Sequence, residues 1–189
     1  MRALSTALRC DPNSRKETAS AVARTAGESQ APAFRPGSLT PATIIVPTWA
    51  LNRNAIQHAL AQEGHFDARD DVGDGTMRLT QDQAAWGEFE TLESALIKAG
   101  IAFDRLSDAK YEYDAEMRCF RPAAGVDGGL DVVVKTLQDH DPVISLSSLA
   151  QLAATEPLTL DAIRSYLALP RETVAEWAVR HAPTGAVLS

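Results

Sequence analysis

Three carboxylates alternate along residues 112–116 of the chain. Glu112, Asp114 and Glu116 stand two residues apart, and side chains at that spacing lie on one face of an extended strand. Paired carboxylates can do acid–base chemistry when a pocket removes one of them from water. Three in succession on the flank of a hairpin are more often a solvated face, or a negative stripe that contacts a basic partner. The pattern alone assigns no catalytic residue.

The distribution of charge favours a basic protein partner. The 189 residues include 18 Lys and Arg against 25 Asp and Glu, which gives a formal net charge of −7. The first 40 residues have a balance of +3, so the rest of the chain has a balance of −10. An acidic body repels phosphate backbones, and nucleic-acid affinity depends on basic contacts. Binding to nucleic acid would therefore need a local basic patch.

A frame from Leu160 to Val179 has the length of a helix-turn-helix. Apolar residues fill five positions that such a motif needs in its two helices and turn, namely Ile163, Leu167, Leu169, Val174 and Trp177. Two positions that need small or flexible residues do not fit. Arg164 stands where the helices would touch, and Ala168 stands where the turn usually has a glycine with positive φ.

The second helix of that frame has unfavourable chemistry for a DNA groove. It would present Arg171, Thr173 and Arg180 to the bases and phosphates, but two glutamates in the same stretch cancel the positive charge. The other interpretation is a helical hairpin that closes the core, with Trp177 packed on the sheet. We favour core packing and keep a DNA-binding regulator as the alternative function.

Other clusters lack the order that metal binding or catalysis needs. Residues 63–75 hold several acids and His65, but not in the sequence of an EF-hand, so a solvated loop is expected. His140 lies between Asp139 and Asp141 and is expected in a turn. The chain has no phosphate-binding glycine loop and no nucleophile motif. We therefore predict a protein that is not an enzyme and uses no metal or cofactor.

The order of strand-like and helical segments predicts an α+β fold. Strands are expected near 42–47, 76–80, 101–106, 111–113, 117–120 and 130–137, and a helix over 51–63. A longer amphipathic helix is expected over 81–99, capped by Thr80 and ended by Gly100. Three short helices should follow at 147–154, 160–168 and 171–180. The result is a small, mainly antiparallel sheet packed by one long helix, with a C-terminal helical cluster.

Composition divides the chain into two parts. Residues 1–40 are rich in Ala, Ser, Arg and Thr without an extended apolar stripe, and we expect a disordered leader. Residues 41–189 are expected to form a single α+β domain whose part 146–181 is helical. The apolar runs are too short to cross a membrane. Cys10 and Cys119 give neither a disulfide framework nor a metal spacing, which fits the cytoplasm.

Residues 86–122 resemble a loose group of uncharacterised proteins encoded on plasmids and integrative elements of proteobacteria. The similar features are an aromatic-anchored helix, the strand "GIAFDR" and the hairpin "YEYDAEMRCFRP". The resemblance implies an accessory protein of a mobile element, and it transfers no catalytic residue. We therefore expect an acidic interaction protein, with counter-defence of the anti-restriction or anti-CRISPR type as its candidate role. Its site would be Glu112, Asp114 and Glu116, placed against a basic surface of a partner protein.

Overall fold

The computed structural model describes residues 39–110, 114–124, 127 and 129–184. Within them the fold is α+β, with six strands in one antiparallel sheet. The strands are β1 (Leu39–Pro47), β2 (Ala68–Asp71), β3 (Thr76–Ala85), β4 (Phe103–Ser107), β5 (Glu116–Arg121) and β6 (Leu130–Lys135). The α-helices are α1 (Asn54–Glu63), α2 (Glu90–Ala99), α3 (Leu146–Thr155), α4 (Leu160–Tyr166) and α5 (Val174–His181), and a 3₁₀ helix covers Thr48–Asn52.

The sheet has the order β2-β3-β1-β4-β5-β6, and every pair of neighbouring strands is antiparallel. β1 lies near its middle, with Ile44 opposite both Leu79 of β3 and Arg105 of β4. Side chains alternate along β1, because Ala42, Ile44 and Val46 are buried while the residues between them are half-buried. This period of two is the pattern expected for a strand with one face on the core.

The main core joins the buried face of β1 to the apolar sides of α1 and α2. Ile56 of α1 and Leu92 and Leu96 of α2 are fully buried in the same cluster as Ile44. Burial of each such side chain contributes about 1.5–3 kcal/mol to folding. The two helices also contact each other. The spacing that predicted helices here therefore reflects packing on the sheet.

The predicted long helix over 81–99 is wrong in its first half. Residues up to Ala85 continue β3, where they pair with β1, and α2 begins only at Glu90. Trp86 and Gly87 turn the chain between the two elements, both with positive φ. The cap predicted at Thr80 is replaced by Phe89, whose backbone N–H donates to Glu93 Oε1 at 3.0 Å. The predicted end is confirmed, since Gly100 is left-handed.

Most other predicted elements are found, with shifted ends. The strands expected at 42–47, 76–80, 101–106, 117–120 and 130–137 overlap β1, β3, β4, β5 and β6, and the helix over 51–63 corresponds to α1. Part of the stretch expected as a polar loop instead forms β2, which pairs with β3. The strand expected at 111–113 and the leader up to residue 38 lie outside the described residues. Leu39 and Thr40 of the expected leader belong to β1.

The three predicted C-terminal helices exist as α3, α4 and α5, but the structure does not confirm that they pack as one cluster. α3 contacts α4, whereas α5 contacts β1 and β3. Trp177 of α5 is buried and stacks on Trp49 with ring centroids 5.9 Å apart. Trp49 Nε1 also donates to the carbonyl of Ala178 at 3.2 Å. Across the described residues, no helix combines the length and the apolar character that spanning a bilayer requires.

Arg121 fixes the chain that leads into α5. Its guanidinium is buried, and Nε donates to the carbonyl of Glu172 at 2.9 Å. Nη1 donates to the carbonyl of Phe103 at 3.0 Å and to Asp104 Oδ1 at 2.8 Å. A single side chain therefore links β4 and β5 to the segment just before the last helix.

The close contact at Gly87 gives a test of the turn between β3 and α2. A Cβ atom there would lie 2.6 Å from Ser107 Cβ and 3.0 Å from Thr40 Cγ2, at φ +68°. Gly87→Ala should lower the free energy of unfolding by about 2–5 kcal/mol, from backbone strain and overpacking together. Gly100→Ala, at φ +62° with its nearest contact at 3.9 Å, should lose only about 1–2 kcal/mol. Urea denaturation of both variants checks this, and equal losses would contradict it.

Candidate functional site

A pocket of about 320 Å³ opens at the end of the sheet where β1 and β5 begin and β3 and β4 end. This volume lies at the lower limit of small-ligand pockets in proteins. Four carboxylates, two hydroxyl side chains and one indole form its wall: Glu88, Asp108, Asp114, Glu116, Thr40, Ser107 and Trp86. We call it the acidic pocket.

The turn after β3 places two of these side chains. Gly87 comes so close to β1 and β4 that only hydrogen fits in place of a side chain. Its carbonyl accepts a hydrogen bond from Arg105 Nη1 at 2.7 Å, which fixes the turn to β4. Trp86 has φ +60°, a conformation that costs a non-glycine residue about 1–2 kcal/mol. The fold thus holds a 42% exposed indole at the pocket in spite of that cost.

Arg105 lies behind the pocket and is 1% exposed. Its Nη2 donates to Glu116 Oε1 at 2.6 Å, and its Nη1 donates to Ser107 Oγ at 3.1 Å. Its Nε is 3.1 Å from Glu93 Oε1, an ionic contact without the alignment of a hydrogen bond. A buried guanidinium needs such partners, because an unpaired charge in the interior is very costly.

Arg118 extends this network across the sheet. Its Nη1 donates to Glu93 Oε2 at 2.7 Å, and its Nε and Nη2 donate to the two carboxylate oxygens of Asp131 at 2.9 and 2.8 Å. The hydrogen bond to Asp131 raises the pKa of Arg118, so it stays charged. Counting pocket and network together, six carboxylates face three cationic side chains. The site therefore has an excess of three negative charges, without counting His140, which lies beside Asp108.

Glu88 contributes one of the negative charges in this excess. Among the described residues it has no ion pair, although Arg105 and Arg118 act on it from farther away. Desolvation raises the pKa of Glu88, and the neighbouring charges of Glu93 and Glu116 raise it further against the effect of the two arginines. The charged form of this side chain would therefore gain from an additional cation in the pocket.

Two of the three predicted partner-binding residues lie in the acidic pocket. Asp114 is exposed and lies 2.5 Å from Lys135 Nζ, while Glu116 is half-buried and pairs with Arg105. Glu112 lies outside the described residues. Sequence reasoning missed Glu88 and Asp108, because they reach the pocket from other elements and no spacing links them to residues 112–116. The only local signal was the Trp-Gly pair before Glu88, which is typical of a turn.

The residues of the alternative DNA-binding interpretation have other contacts. Arg171 is exposed and precedes α5, and its backbone N–H donates to Asp127 Oδ1 at 2.9 Å. The hydroxyl of Thr173 caps α5 by accepting from the backbone N–H of Glu176 at 3.2 Å. Arg180 pairs with the buried carboxylate of Glu172. Of these three residues, Arg171 is the one cation without a carboxylate partner among the described residues.

The turn between α4 and α5 corrects one sequence argument. Ala168 has φ +52°, so the chain adopts the left-handed conformation that we expected to need a glycine. A cavity of about 600 Å³ beside this turn is lined by Arg164 and Arg171, together with two aspartates. Neither arginine forms an ion pair within the described ranges. The lack of a glycine at this position is therefore no argument against a helix-turn-helix.

The carboxylates of the predicted acidic loop hydrogen-bond to backbone groups of the loop and of β3. Asp67, Asp71 and Asp74 each accept a hydrogen bond from a backbone N–H. In the part of the chain that the structure describes, no group of three or more His, Cys, Asp and Glu side chains has an arrangement that could hold a metal ion. His140 lies in a turn as predicted, but its carboxylate neighbour is Asp108, 3.5 Å from its Nε2, and not an adjacent residue.

Comparisons of the chain with protein-family models, with curated proteins and with solved structures found no match in any of the three. The resemblance of residues 86–122 to proteins of mobile elements therefore stays a prediction.

Glu93→Gln tests the buried network behind the pocket. The substitution keeps the shape of the side chain but leaves Arg105 with one carboxylate instead of two. Loss of a buried ionic partner costs about 3–5 kcal/mol, and the free energy of unfolding in urea should fall by that amount. Asp131→Asn removes the exposed partner of Arg118 and should cost about 1 kcal/mol or less. A network that contributes nothing to stability would give similar small losses in both variants.

Glu88→Gln tests the electrostatic strain in the pocket. Because folding raises the pKa of Glu88, its ionised form destabilises the folded state at neutral pH, and the protonated form does not. The variant should therefore have a higher Tm than the parent at pH 7, and the difference should vanish as the pH falls below the pKa of an ordinary Glu, about 4.3.

Glu176→Gln is the control of opposite sign. Hydrogen bonds from Thr173 lower the pKa of Glu176, so its ionised form stabilises the fold at neutral pH. That variant should have a lower Tm at pH 7 and lose the difference in acid. A lower Tm for Glu88→Gln at pH 7 would show that the pocket does not strain this carboxylate.

Proposed function

We propose that this protein is a non-enzymatic, acidic interaction protein whose acidic pocket binds a cationic side chain on the basic surface of a partner protein. The observation that carries this proposal is the convergence of Glu88, Asp108, Asp114 and Glu116 around one cavity of about 320 Å³. The negative balance of the chain outside its first 40 residues supports it. A field of that sign speeds the encounter with a basic surface and disfavours acidic ones.

The four carboxylates have different roles in this proposal. Asp114 pairs with Lys135 at the surface, where the two side chains are 66% and 74% exposed. An exposed pair of this kind contributes little to stability, so a partner's cation can replace Lys135 at small cost. Glu116 neutralises the buried Arg105 and positions the wall of the pocket. Glu88, with its raised pKa, gains most from the incoming charge.

The biological setting of the proposal comes from the resemblance of residues 86–122 to proteins of mobile elements. We place the protein in the cytoplasm, as a counter-defence factor of the anti-restriction or anti-CRISPR type. The partner would then be a protein with a basic, nucleic-acid-binding surface. A cluster of carboxylates can compete there with phosphate groups, because both bind the same Arg and Lys side chains.

A DNA-binding regulator is the second candidate. It is favoured by the left-handed turn at Ala168 and by the unpaired charges of Arg164 and Arg171 beside that turn. Against it, Trp177 buries one side of α5 on Trp49, and Arg180 is held by Glu172. A helix whose apolar side closes the core has only its outer side left for a groove, and two Arg are few for phosphate binding.

Charge reversal separates the two candidates. Binding of a fluorescent peptide of eight Lys and Arg residues, measured by anisotropy at several salt concentrations, should weaken about tenfold in the double variant Glu88→Lys, Asp114→Lys. Glu116 is left unchanged, since its loss would leave the buried Arg105 with one carboxylate partner instead of two. The matched control is Asp70→Lys, Glu156→Lys, which makes the same change in net charge away from the pocket.

The control should change the affinity by about threefold or less. Equal weakening in both double variants, or no binding of the basic peptide, would overturn the proposal. Salt-dependent binding of a DNA duplex from the region upstream of the coding sequence, lost in Arg171→Ala, would favour the regulator instead.

A further inference from the structure

The cavity of about 600 Å³ beside the turn after α4 is a second candidate site. Its volume lies within the usual range of small-ligand sites. Arg164 of α4 and Arg171, which precedes α5, both line it, together with Ser165 and the apolar residues Leu130 and Leu169. We call it the arginine cavity. None of these residues belongs to the acidic pocket.

The end of α4 places a cation and an apolar group at the same wall. The backbone N–H groups of Ala168 and Leu169 donate to the carbonyls of Ser165 and Arg164 at 3.1 and 3.0 Å. This is the pattern of a helix that ends in a left-handed residue, here Ala168 with φ +52°. It brings residue 169 back to the level of Arg164, so that both line the cavity.

Asp127 holds the chain on the other side of the arginine cavity. Its Oδ1 accepts from the backbone N–H of Arg171 at 2.9 Å, and its Oδ2 accepts from that of Glu172 at 3.3 Å. The backbone therefore engages both oxygens of this carboxylate. Neither Arg164 nor Arg171 forms an ion pair with a described residue. Their guanidinium groups thus remain open to an anion that enters a cavity whose backbone is already fixed, which lowers the entropic cost of binding.

We propose that the arginine cavity binds a carboxylate attached to an apolar group, with the carboxylate on Arg164 and Arg171 and the apolar group on Leu130 and Leu169. Guanidinium groups bind carboxylates through paired, charge-assisted hydrogen bonds. The two leucines offer apolar surface that the rest of the ligand can bury. Such a carboxylate belongs to a small organic acid or to the C-terminal residue of a peptide. The inference uses no residue of the acidic pocket and does not rest on the proposed function.

The charge of the lining favours a carboxylate over a phosphate. Asp127 and Asp161 line the cavity beside the two arginines, so the four charges cancel. A phosphate monoester carries about −1.5 to −2 charges at pH 7, and both aspartates would repel it. A carboxylate carries a single charge and is repelled less. Inorganic phosphate also has no apolar part to place on the two leucines.

The test is an NMR titration of the full, isotope-labelled chain, followed through the backbone N–H signals of Ala168, Leu169 and Arg171. N-acetyl-leucine should bind with a Kd on the order of 1 mM, as a ligand of this size can. N-acetyl-leucinamide, which lacks the charge, should bind about tenfold more weakly. N-acetylglycine, which lacks the apolar side chain, should bind about fivefold more weakly or worse.

Hexanoate distinguishes the two sources of the carboxylate. It has the charge and an apolar chain but no peptide group. An affinity equal to that of N-acetyl-leucine supports a small organic acid as the ligand, and a weaker affinity supports the C-terminal residue of a peptide.

Two variants remove the cations without touching the core. Arg164 and Arg171 are exposed, so Arg164→Gln and Arg171→Gln should keep the Tm of the parent. Each should weaken the binding of N-acetyl-leucine about tenfold. Arg78→Gln is the matched control, because Arg78 is an exposed arginine of β3 that lies outside the cavity lining. Its affinity for N-acetyl-leucine should equal that of the parent.

Equal affinity for N-acetyl-leucine and its amide would overturn the inference, as would an equal loss of affinity in Arg78→Gln. Tighter binding of inorganic phosphate than of N-acetyl-leucine would show that the cavity takes phosphate groups and would contradict the assignment to a carboxylate. If N-acetyl-leucine does not bind, the inference is wrong. A DNA duplex whose binding is then lost in Arg164→Gln and Arg171→Gln would place both arginines in the DNA-binding regulator instead.

Discussion

The buried guanidinium of Arg105 sets the arrangement of everything around the acidic pocket. Removal of a full charge from water costs several kcal/mol unless partners surround it. Those partners come from four places along the chain: α2 through Glu93, β5 through Glu116, the turn through the Gly87 carbonyl, and β4 itself through Ser107. None of these segments can shift without leaving a charge or a donor unsatisfied. The position of the pocket wall follows from that requirement.

Elements whose local signals agree with their packing were predictable from sequence. The β-branched run in β1 forms the expected strand, and Gly100 ends α2 where a left-handed residue was expected. Residues 81–85 were misassigned because the apolar spacing of Trp86, Phe89, Leu92 and Leu96 extends a helical pattern backward. Pairing with β1 outweighs that pattern, and the close approach at Gly87 forces a turn. The local spacing of apolar residues shows neither the long-range pairing of two strands nor the close approach of the backbone at Gly87.

The candidate site was predictable only in part, for a related reason. Asp114 and Glu116 are neighbours in sequence, so their common face could be expected from spacing. Glu88 and Asp108 join them because the sheet order brings the ends of β3 and β4 beside the start of β5. The spacing also could not show that Glu116 has a buried partner and Asp114 an exposed one. Glu116 therefore stabilises the fold, whereas Asp114 remains accessible at the surface.

The hydrogen bond from Trp49 to Ala178 spans 129 residues and joins the beginning of the described chain to its end. During synthesis on the ribosome, the first strand and its neighbours emerge long before the helix that covers Trp49. The nascent chain must therefore hold an incomplete core until α5 has been synthesised. Contacts between residues this far apart in sequence slow folding. Until α5 packs on Trp49, the apolar surface around Trp49 stays accessible to chaperones.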